Sequence, residues 1–451
     1  MIKKILKYLG IILLLAIAYI AYTTYPKLDI VSGFSSKSVA SHLFIAERSQ
    51  EYTELEDNDV PSMNLATNIV DISSKSVSSS ALKIKTRKAI YRDGVGVALV
   101  PVYANEEDIS RLKPNRNKVK TNLPYPYGNL AQKDTVFQNI DYTKLKESVH
   151  NAFVDTEANQ KKTRSVLVIY KDQIIAEEYI DDFNENSMIL GWSMAKSITS
   201  GVLGVMEKQG LVSLDQTNLF EAWSEDVRKN ITLRNLLNMN SGLQWEENYT
   251  KICDATKMLF IDANMTKIQL EKPLTGTPNE SWNYSSGTTN LLSGYIRNQF
   301  NTHQEYLDFW YTELVDKIGM HSMLIETDFS GHYVGSSYAW ATTRDWAKFG
   351  LLYLHNGNWN GEQLINQSWV DFSRSPTNGS NGVYGGHFWL NAEGKYPNVP
   401  TDLFSLNGYQ GQYVFIIPSK ELVIVRTGLY ENPSFNVNEF LKEIIASINY
   451  E

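Results

Sequence analysis

The sequence has few of the residues that mark several common classes of protein. It contains one cysteine, Cys253, among 451 residues, which excludes intramolecular disulfides, cysteine-rich zinc modules and iron–sulfur clusters. Its seven histidines are scattered without the spacing of a compact metal site, so we predict no metal and no other cofactor. No segment repeats with a period of 20–50 residues, which excludes solenoids and propellers.

Positive charge is also in deficit. The 42 Lys and Arg residues against 50 Asp and Glu give a net charge of −8, which excludes electrostatic nucleic-acid binding as the main activity. Hydrophobic residues make up 43% of the chain, enough to bury a sizeable core. The composition therefore predicts a folded protein, built as one large enzyme domain with an appendage.

The longest apolar run is at the N-terminus. Three lysines among the first seven residues precede an apolar run from Leu9 to Tyr22, a pattern typical of an export signal. Residues 1–25 are predicted to be a cleaved signal peptide or a membrane helix, with inner-membrane association through residues 5–25. We therefore expect a periplasmic or extracytoplasmic protein, either anchored or released after cleavage.

Residues 26–135 are predicted to form an N-terminal appendage and linker. The polar stretch 26–80 is interpreted as a stalk or loosely packed appendage, and 81–102 as a β-hairpin around Asp93-Gly94. A linker rich in Asn, Lys and Pro follows over 106–134. The main domain is expected to cover residues 136–451.

The main domain begins and ends with strand patterns. One hairpin is predicted over 165–180 and another over 412–427, followed by a closing amphipathic helix over 436–448. The intervening residues are mainly helical in pattern, at 194–209, 232–239, 288–299, 304–318 and 344–356. The predicted fold class is α+β: an antiparallel sheet flanked by helices, with an inserted, mostly helical subdomain and the small β-containing appendage.

One short segment combines a nucleophile with a base. Ser193 and Lys196 open a long helix that has an apolar stripe. Residues three apart lie on one face of a helix, so the lysine amine can reach the serine hydroxyl at the positive end of the helix dipole. The alternative is an N-cap serine followed by a solvated lysine.

The pattern Ser-x-x-Lys occurs twice more, and its surroundings argue against both copies. Ser80 and Lys83 lead into a strand-like segment, where residues three apart point to opposite faces. Ser110 and Lys113 lie in the polar linker, where Pro114 ends any turn. The pair at 193 and 196 is therefore the predicted catalytic pair.

Two further segments supply groups that fit this pair. Tyr284 lies in a polar loop before an apolar helix, and it can act as a base only if a cationic or buried neighbour shifts its pKa. Tyr409 and Gly411 precede a strand, where the backbone amide of Gln412 can join that of Ser193 as an oxyanion hole. Each segment alone also fits ordinary structure, a tyrosine packed at a helix entry or a simple turn.

Together these segments resemble the three motifs of the serine beta-lactamase and penicillin-recognising superfamily. The chain is most similar to the class C beta-lactamase-related branch, and in type to the 6-aminohexanoate-dimer hydrolases, over about residues 136–450. The connecting segments 231–243 and 341–350 agree with this branch. The motif residues, in order, are Ser193-Met-Ala-Lys196, Tyr284-Ser-Ser286 and Tyr409-Gln-Gly411.

The resemblance implies a beta-lactamase/transpeptidase-like fold and a mechanism. Ser193 would form an acyl-enzyme with an ester or amide carbonyl, while Lys196 and Tyr284 relay the proton. The backbone amides of Ser193 and Gln412 would hold the oxyanion, and water would then release the product.

The chain departs from the superfamily at two positions. Ser286 stands where beta-lactamases commonly have Asn, and Tyr409 replaces the Lys of Lys-Thr-Gly; with Gly411 these are the implied substrate-binding residues. A substrate carboxylate would lose its cationic partner, which favours a small-molecule ester, amide or peptide over a β-lactam. An Arg-Thr-Gly sequence that begins at Arg426 is an alternative third motif.

Other functions remain as alternatives. The domain can be a non-catalytic penicillin-binding-like module that holds cell-wall peptide or a partner protein, or a cell-wall D-amino-acid peptidase. An alpha/beta-hydrolase elbow around Ser193 would need a downstream histidine, of which His387 is the last. Aromatic residues near the motifs, including Trp192 and Tyr413, fit an apolar or stacking pocket, and they fit an ordinary core equally. The sequence favours no oligomeric state.

Overall fold

The structure, a computed structural model, describes residues 2–156, 160–430 and 435–450, without the side chains of residues 2, 3, 16–18, 20 and 21. The helices are α1 (Ile2–Phe44), α2 (Gln50–Tyr52), α3 (Tyr142–Asn151), α4 (Ala195–Lys208), α5 (Leu233–Leu237), α6 (Asp254–Phe260), α7 (Ser286–Arg297), α8 (His303–Trp310), α9 (Thr343–Leu354), α10 (Gln367–Ser373) and α11 (Val437–Ile445). The strands are β1 (Ala66–Asp71), β2 (Ser76–Ala81), β3 (Lys85–Arg92), β4 (Gly96–Leu99), β5 (Thr163–Tyr170), β6 (Gln173–Tyr179), β7 (Ile189–Leu190), β8 (Leu324–Ile325), β9 (Ala339–Ala341), β10 (Asn358–Trp359), β11 (Glu362–Gln363), β12 (Trp389–Leu390), β13 (Phe404–Gly408), β14 (Gln412–Ile417) and β15 (Leu422–Gly428).

A six-stranded antiparallel sheet lies at the centre of the fold, in the order β12-β13-β14-β15-β5-β6. The two predicted hairpins are β5–β6 and β14–β15. Strand β15 pairs with β5 in a register that places Leu422 opposite Tyr170. The prediction that both ends of the main domain contribute to one antiparallel sheet is confirmed.

Alternate residues of β5 pack into different cores, as expected for a strand. Leu167 and Ile169 belong to the core that includes α4, α7 and α9. Val166 and Val168 face α3 and α11 on the other side of the sheet. The sheet therefore lies between two helical layers, which agrees with the predicted α+β class.

Helices are the main regular elements of the segment between the two hairpins, as predicted, although loops and turns make up more of its length. Helices α4, α7 and α9 match the predicted helices closely. The helix predicted over 304–318 is shorter, because α8 ends at Trp310 and a π-helical turn, Tyr311–Val315, follows it.

The N-terminal region forms a second sheet that packs against the rest of the chain. Strands β1–β4 are antiparallel and adjacent in chain order, and α1 packs across β2 and β3. The hairpin predicted over 81–102 is β3–β4. The interpretation of 26–80 as a loosely packed stalk is wrong, because Val39, Ala40 and Val77 are fully buried.

A buried ion pair joins this region to the main domain. Lys37 of α1 lies 2.8 Å from the carboxylate of Glu326, and both side chains are almost entirely buried. Glu326 also accepts hydrogen bonds from the backbone amide of Val97 and the indole of Trp340. Burial lowers the pKa of Lys37, although the Glu326 charge acts in the opposite direction.

Asp57 is the second buried carboxylate that makes such a connection. Its Oδ1 lies 2.7 Å from Nη1 of Arg164 in β5 and 2.9 Å from Nε2 of His42. Burial raises the pKa of Asp57, but the His42 and Arg164 charges outweigh it and hold that pKa well below its usual range. The predicted linker is also docked, since Arg116 donates a hydrogen bond to Asp316 at 3.0 Å.

Helix α1 continues without a break through the predicted boundary at residues 25 and 26. Its first half carries exposed apolar side chains such as Leu9 and Leu13, while its second half is buried from Leu28. Within the described part of the chain, no helix is both long enough and apolar enough to span a membrane. The signal or anchor function, and the location outside the cytoplasm, stay predictions.

The Lys37–Glu326 pair gives a test of how firmly the two regions are joined. Glu326→Gln is expected to lower the free energy of unfolding by about 3–5 kcal/mol, because it leaves a buried ammonium without a carboxylate. The double variant Lys37→Met/Glu326→Gln is expected to lose less, since no unpaired charge remains. Urea denaturation followed by tryptophan fluorescence measures both, and a single-variant loss below about 1 kcal/mol would contradict the assignment.

Candidate active site

Ser193 lies in a 3-10 turn, Trp192–Met194, directly before α4. Trp192 has φ of +47°, a left-handed conformation that a bulky side chain rarely adopts. Gly191 precedes it, where an added Cβ would lie 2.3 Å from the Trp346 ring. Ser193 is therefore at the start of a long helix, as predicted, with a strained residue just before it.

Lys196 lies in the first turn of α4 and is buried. Its Nζ is 3.1 Å from Oγ of Ser193, 3.0 Å from Oγ of Ser286 and 2.9 Å from the carbonyl oxygen of Ser336. Three oxygens thus match the three N–H bonds of an ammonium group. The sequence predicted the contact with Ser193 and named Ser286 only as a substrate-binding residue of the second motif. It gave no sign of Ser336, a backbone group 140 residues away.

The environment of Lys196 changes its acidity. Burial lowers the pKa of Lys196 to about 8, although the negative charge of Glu247 acts in the opposite direction. A lysine with this pKa is partly neutral near pH 7, so its amine can accept a proton.

The other two Ser-x-x-Lys copies make no comparable site. Lys113 lies 2.6 Å from the Asp93 carboxylate, an exposed surface pair. Lys83 lies in the turn after β2 with φ of +59°, and Oγ of Ser80 accepts a hydrogen bond from Thr86.

Tyr284 lies beside Lys196, as the sequence predicts. The lysine Nζ is 4.9 Å from the centre of the Tyr284 ring, within the range of a cation–π contact. The ring also packs 5.4 Å from Trp389 and 5.9 Å from Tyr384. The first two motifs therefore meet around the lysine amine.

A carboxylate that the sequence analysis missed lies behind Ser286. Glu247 accepts a hydrogen bond from the Ser286 hydroxyl at 2.7 Å, so it is linked to Lys196 through one side chain. The available signal was a pair of adjacent acids, Glu246 and Glu247, in a loop. That pattern is equally typical of a solvated surface.

The third motif forms the turn between β13 and β14. Gly408 packs against the nucleophile turn, since an added Cβ would lie 2.1 Å from the Gly191 carbonyl oxygen. Tyr409 is half-exposed, and its ring lies 5.7 Å from that of Trp192. Gly411 has φ of +80°, which favours glycine.

Gln412 begins β14, and its side chain is held by hydrogen bonds to the backbone of β15. The side-chain amide of Gln412 donates a hydrogen bond to the carbonyl oxygen of Gly428 and accepts one from the Gly428 backbone amide. The backbone of Gln412 pairs with that of Gly408, so it lies close to the turn that Gly408 contacts.

Arg426 holds the backbone of the third motif in place through hydrogen bonds. Its side chain is fully buried, and its guanidinium donates hydrogen bonds to the carbonyl oxygens of Gly411 (2.8 Å) and Tyr430 (3.0 Å). The alternative third motif at Arg426 is therefore wrong, because this cation cannot face a substrate carboxylate.

Two other expectations also need correction. Tyr413 belongs to the core between the sheet and α11, stacked 4.9 Å from Phe415, and does not line the cleft. His387 bonds to the Leu237 carbonyl oxygen and to Thr289. With an antiparallel central sheet and no Ser–His pair among these contacts, the alpha/beta-hydrolase alternative is wrong.

The chain also matches a known family by sequence. A family model described as beta-lactamase matches residues 152–443. The chain belongs to the beta-lactamase family. The match begins directly after α3, ends within α11 and includes all three motifs.

Other beta-lactamase-fold proteins resemble this one at low sequence identity. A provisionally assigned 6-aminohexanoate-dimer hydrolase from Bacillus anthracis is 19% identical with a TM-score of 0.54, covering 77% of this chain and 88% of its own. EstCE1, described as a hydrolase with promiscuous acyltransferase activity, is 12% identical with a TM-score of 0.56, covering 68% and 97%. These similarities show the fold alone.

A curated relative shares more of its sequence. An uncharacterised protein of Alkalihalophilus pseudofirmus is 24% identical over an alignment of 332 positions, and the alignment covers 62% of this chain and 90% of the relative. The family model establishes the family, and the description of this relative names no activity.

The buried lysine gives a prediction about stability and pH. A lysine with a folded pKa near 8 binds its proton less tightly than in the unfolded chain, so below pH 8 its burial costs the fold about 3 kcal/mol. Lys196→Met is therefore expected to raise the free energy of unfolding by about 1–3 kcal/mol at pH 6. The gain should shrink as the pH rises from 8 to 10.5, where the unfolded lysine also loses its proton.

Lys208→Met, at the exposed C-terminal end of the same helix, is the matched control. Urea denaturation at several pH values compares the two variants. A loss of stability at pH 6, or a gain that is independent of pH, would refute the lowered pKa of Lys196.

Proposed function

We propose that this protein is a serine hydrolase that cleaves an ester or amide bond through an acyl-enzyme on Ser193. The observation that carries the proposal is the 3.1 Å contact between the Ser193 hydroxyl and the buried amine of Lys196. A serine hydroxyl is a weak nucleophile until a neighbouring base takes its proton. A lysine with a pKa of about 8 is suited to this task.

The proposed reaction has two steps. Oγ of Ser193 attacks the substrate carbonyl carbon, its proton moves to Nζ of Lys196, and the leaving group departs with a proton that Tyr284 helps to deliver. Water then attacks the acyl carbon and gives up a proton to the same groups, which pass it to Oγ of Ser193 as the bond between Oγ and the acyl carbon breaks. Tyr284 is assigned this task because its ring lies against the lysine amine.

The oxyanion is assigned to the backbone amides of Ser193 and Gln412. The first amides of a helix have no partner within that helix, so the amide of Ser193 is suited to a developing negative charge. The close contact of Gly408 with Gly191 supports the second donor, because it holds the start of β14 near the nucleophile turn.

The substrate is proposed to be an ester, amide or peptide without a carboxylate beside the scissile bond. Tyr409 replaces the usual cation, Arg426 is buried, and Glu247 adds negative charge near the lysine. Aromatic rings on both sides of Ser193 offer apolar contacts. They are Trp192 with Tyr409, and Tyr284 with Trp389.

Labelling with a fluorophosphonate probe tests the nucleophile. We expect the wild-type protein to be labelled at Ser193, and Ser193→Ala to lose both labelling and hydrolysis of p-nitrophenyl esters while keeping its fold. Ser110→Ala, in another copy of Ser-x-x-Lys, is the matched control and should behave as wild type. An unlabelled wild-type protein would favour the non-catalytic binding alternative.

A comparison of substrates tests whether Tyr409, in place of the usual lysine, leaves a substrate carboxylate without a cationic partner. Turnover of p-nitrophenyl esters or linear amides is expected to exceed that of nitrocefin by at least about 100-fold, since the β-lactam carboxylate lacks a charge-assisted partner. Steady-state rates for the two substrate classes decide the point. Rapid nitrocefin cleavage that Ser193→Ala abolishes would show that the third motif binds carboxylates without its lysine.

A further inference from the structure

Every hydrogen-bond partner of Glu247 is a donor. Its Oε2 accepts from the backbone amide of Ser286 at 2.7 Å and from the indole of Trp245 at 2.8 Å. Its Oε1 accepts from the hydroxyls of Ser286 at 2.7 Å and Tyr249 at 2.9 Å. An ionised carboxylate has about four acceptor sites, and here all four are used. The amide of Ser286 also begins α7, where the helix dipole favours negative charge.

This carboxylate fixes the direction of the Ser286 hydroxyl. The hydroxyl proton points to Glu247, so only lone pairs of the Ser286 oxygen face Lys196. The Ser336 carbonyl oxygen likewise has only lone pairs. A neutral lysine amine has two N–H bonds and one lone pair, and these two oxygens take both N–H bonds. The remaining lone pair then faces Ser193, the third neighbour of the amine.

We propose that Glu247 is a positioning residue, which holds the Ser286 hydroxyl as an acceptor for Lys196 and so directs the lysine lone pair at Ser193. The inference rests on the proposed function, because it concerns the orientation of the base in that reaction. Glu247 does not touch the reacting atoms; it acts through Ser286.

Among the residues that the structure describes, the other titratable groups around the network are tyrosines and one histidine. Lys196 faces Tyr284 and lies near His387, which is neutral because burial lowers its pKa to about 3. Glu247 faces Tyr249 and lies near Tyr384, whose pKa burial raises well above its usual range. Loss of the Glu247 charge is therefore expected to change chiefly the pKa of Lys196.

Glu247→Gln changes the network in a defined way. The new amide nitrogen cannot face the Ser286 backbone amide or the Trp245 indole, because both only donate. It must face the two hydroxyls, which can turn round and accept. The Ser286 hydroxyl then donates toward Lys196 and competes with Ser193 for the lysine lone pair.

The rate of fluorophosphonate labelling as a function of pH measures this effect without knowledge of the natural substrate. In the labelling step Ser193 Oγ forms a bond to phosphorus, fluoride leaves with its electron pair, and the serine proton passes to Lys196. For Glu247→Gln we expect the plateau rate to fall by about tenfold or more. The midpoint of the rise should move to lower pH by about half to one unit, because the ammonium loses a nearby negative charge.

Two further variants separate positioning from a structural effect. Glu246→Gln alters the neighbouring exposed carboxylate, which pairs with Lys251, and should stay within about twofold of the wild type. In a Ser286→Ala background, Glu247→Gln should lower the plateau by less than about twofold, since no hydroxyl remains to turn round.

Each outcome bears on a separate claim. An unchanged plateau in Glu247→Gln, or a lower plateau with an unmoved midpoint and a lower melting temperature, overturns the positioning role. So does an undiminished tenfold loss in the Ser286→Ala background. If the wild-type protein is not labelled at Ser193, the proposed function fails and the inference fails with it. A labelled wild-type protein with an insensitive Glu247→Gln overturns the inference alone.

Discussion

The arrangement of the site depends on the removal of the Lys196 amine from water. Burial of an ammonium group costs several kcal/mol, and oxygen atoms that replace its hydration shell offset part of that cost. Here the replacements come from the nucleophile turn, from the start of α7 and from the backbone at Ser336. Three distant parts of the chain must therefore pack precisely around one nitrogen. The extensive apolar core around α4 and α7 holds them in place.

Buried charges that need partners also join the N-terminal region to the main domain, and there the buried groups are carboxylates. Glu326 and Asp57 are buried, and both are paired with cations from another part of the chain. This region also lies close to the nucleophile. Nζ of Lys37 is 4.1 Å from the centre of the Tyr338 ring, which packs 6.0 Å from Trp192. The region thus packs against Tyr338, which contacts the residue before Ser193, and it is not a detached stalk.

Features with a local signal could be predicted from the sequence. The two hairpins of the central sheet, the helices α4, α7 and α9, and the Ser193–Lys196 pair all follow from spacing along a few consecutive residues. Strand β2 could not be predicted, because it is mostly serine and its burial comes from α1, which packs across it. Glu247 and Ser336 could not be predicted because their importance arises only when separate segments meet at Lys196.

The pairing of β5 with β15 joins strands about 250 residues apart in the chain. A ribosome therefore releases β5, a strand whose eight residues are all buried, long before its partner exists. Over that interval the strand has one neighbour, β6, and one unpaired edge. The nucleophile turn is also made well before Gly408, which packs against it. A chain that ends prematurely before β13 thus contains the Ser193–Lys196 pair but lacks the second wall of the site.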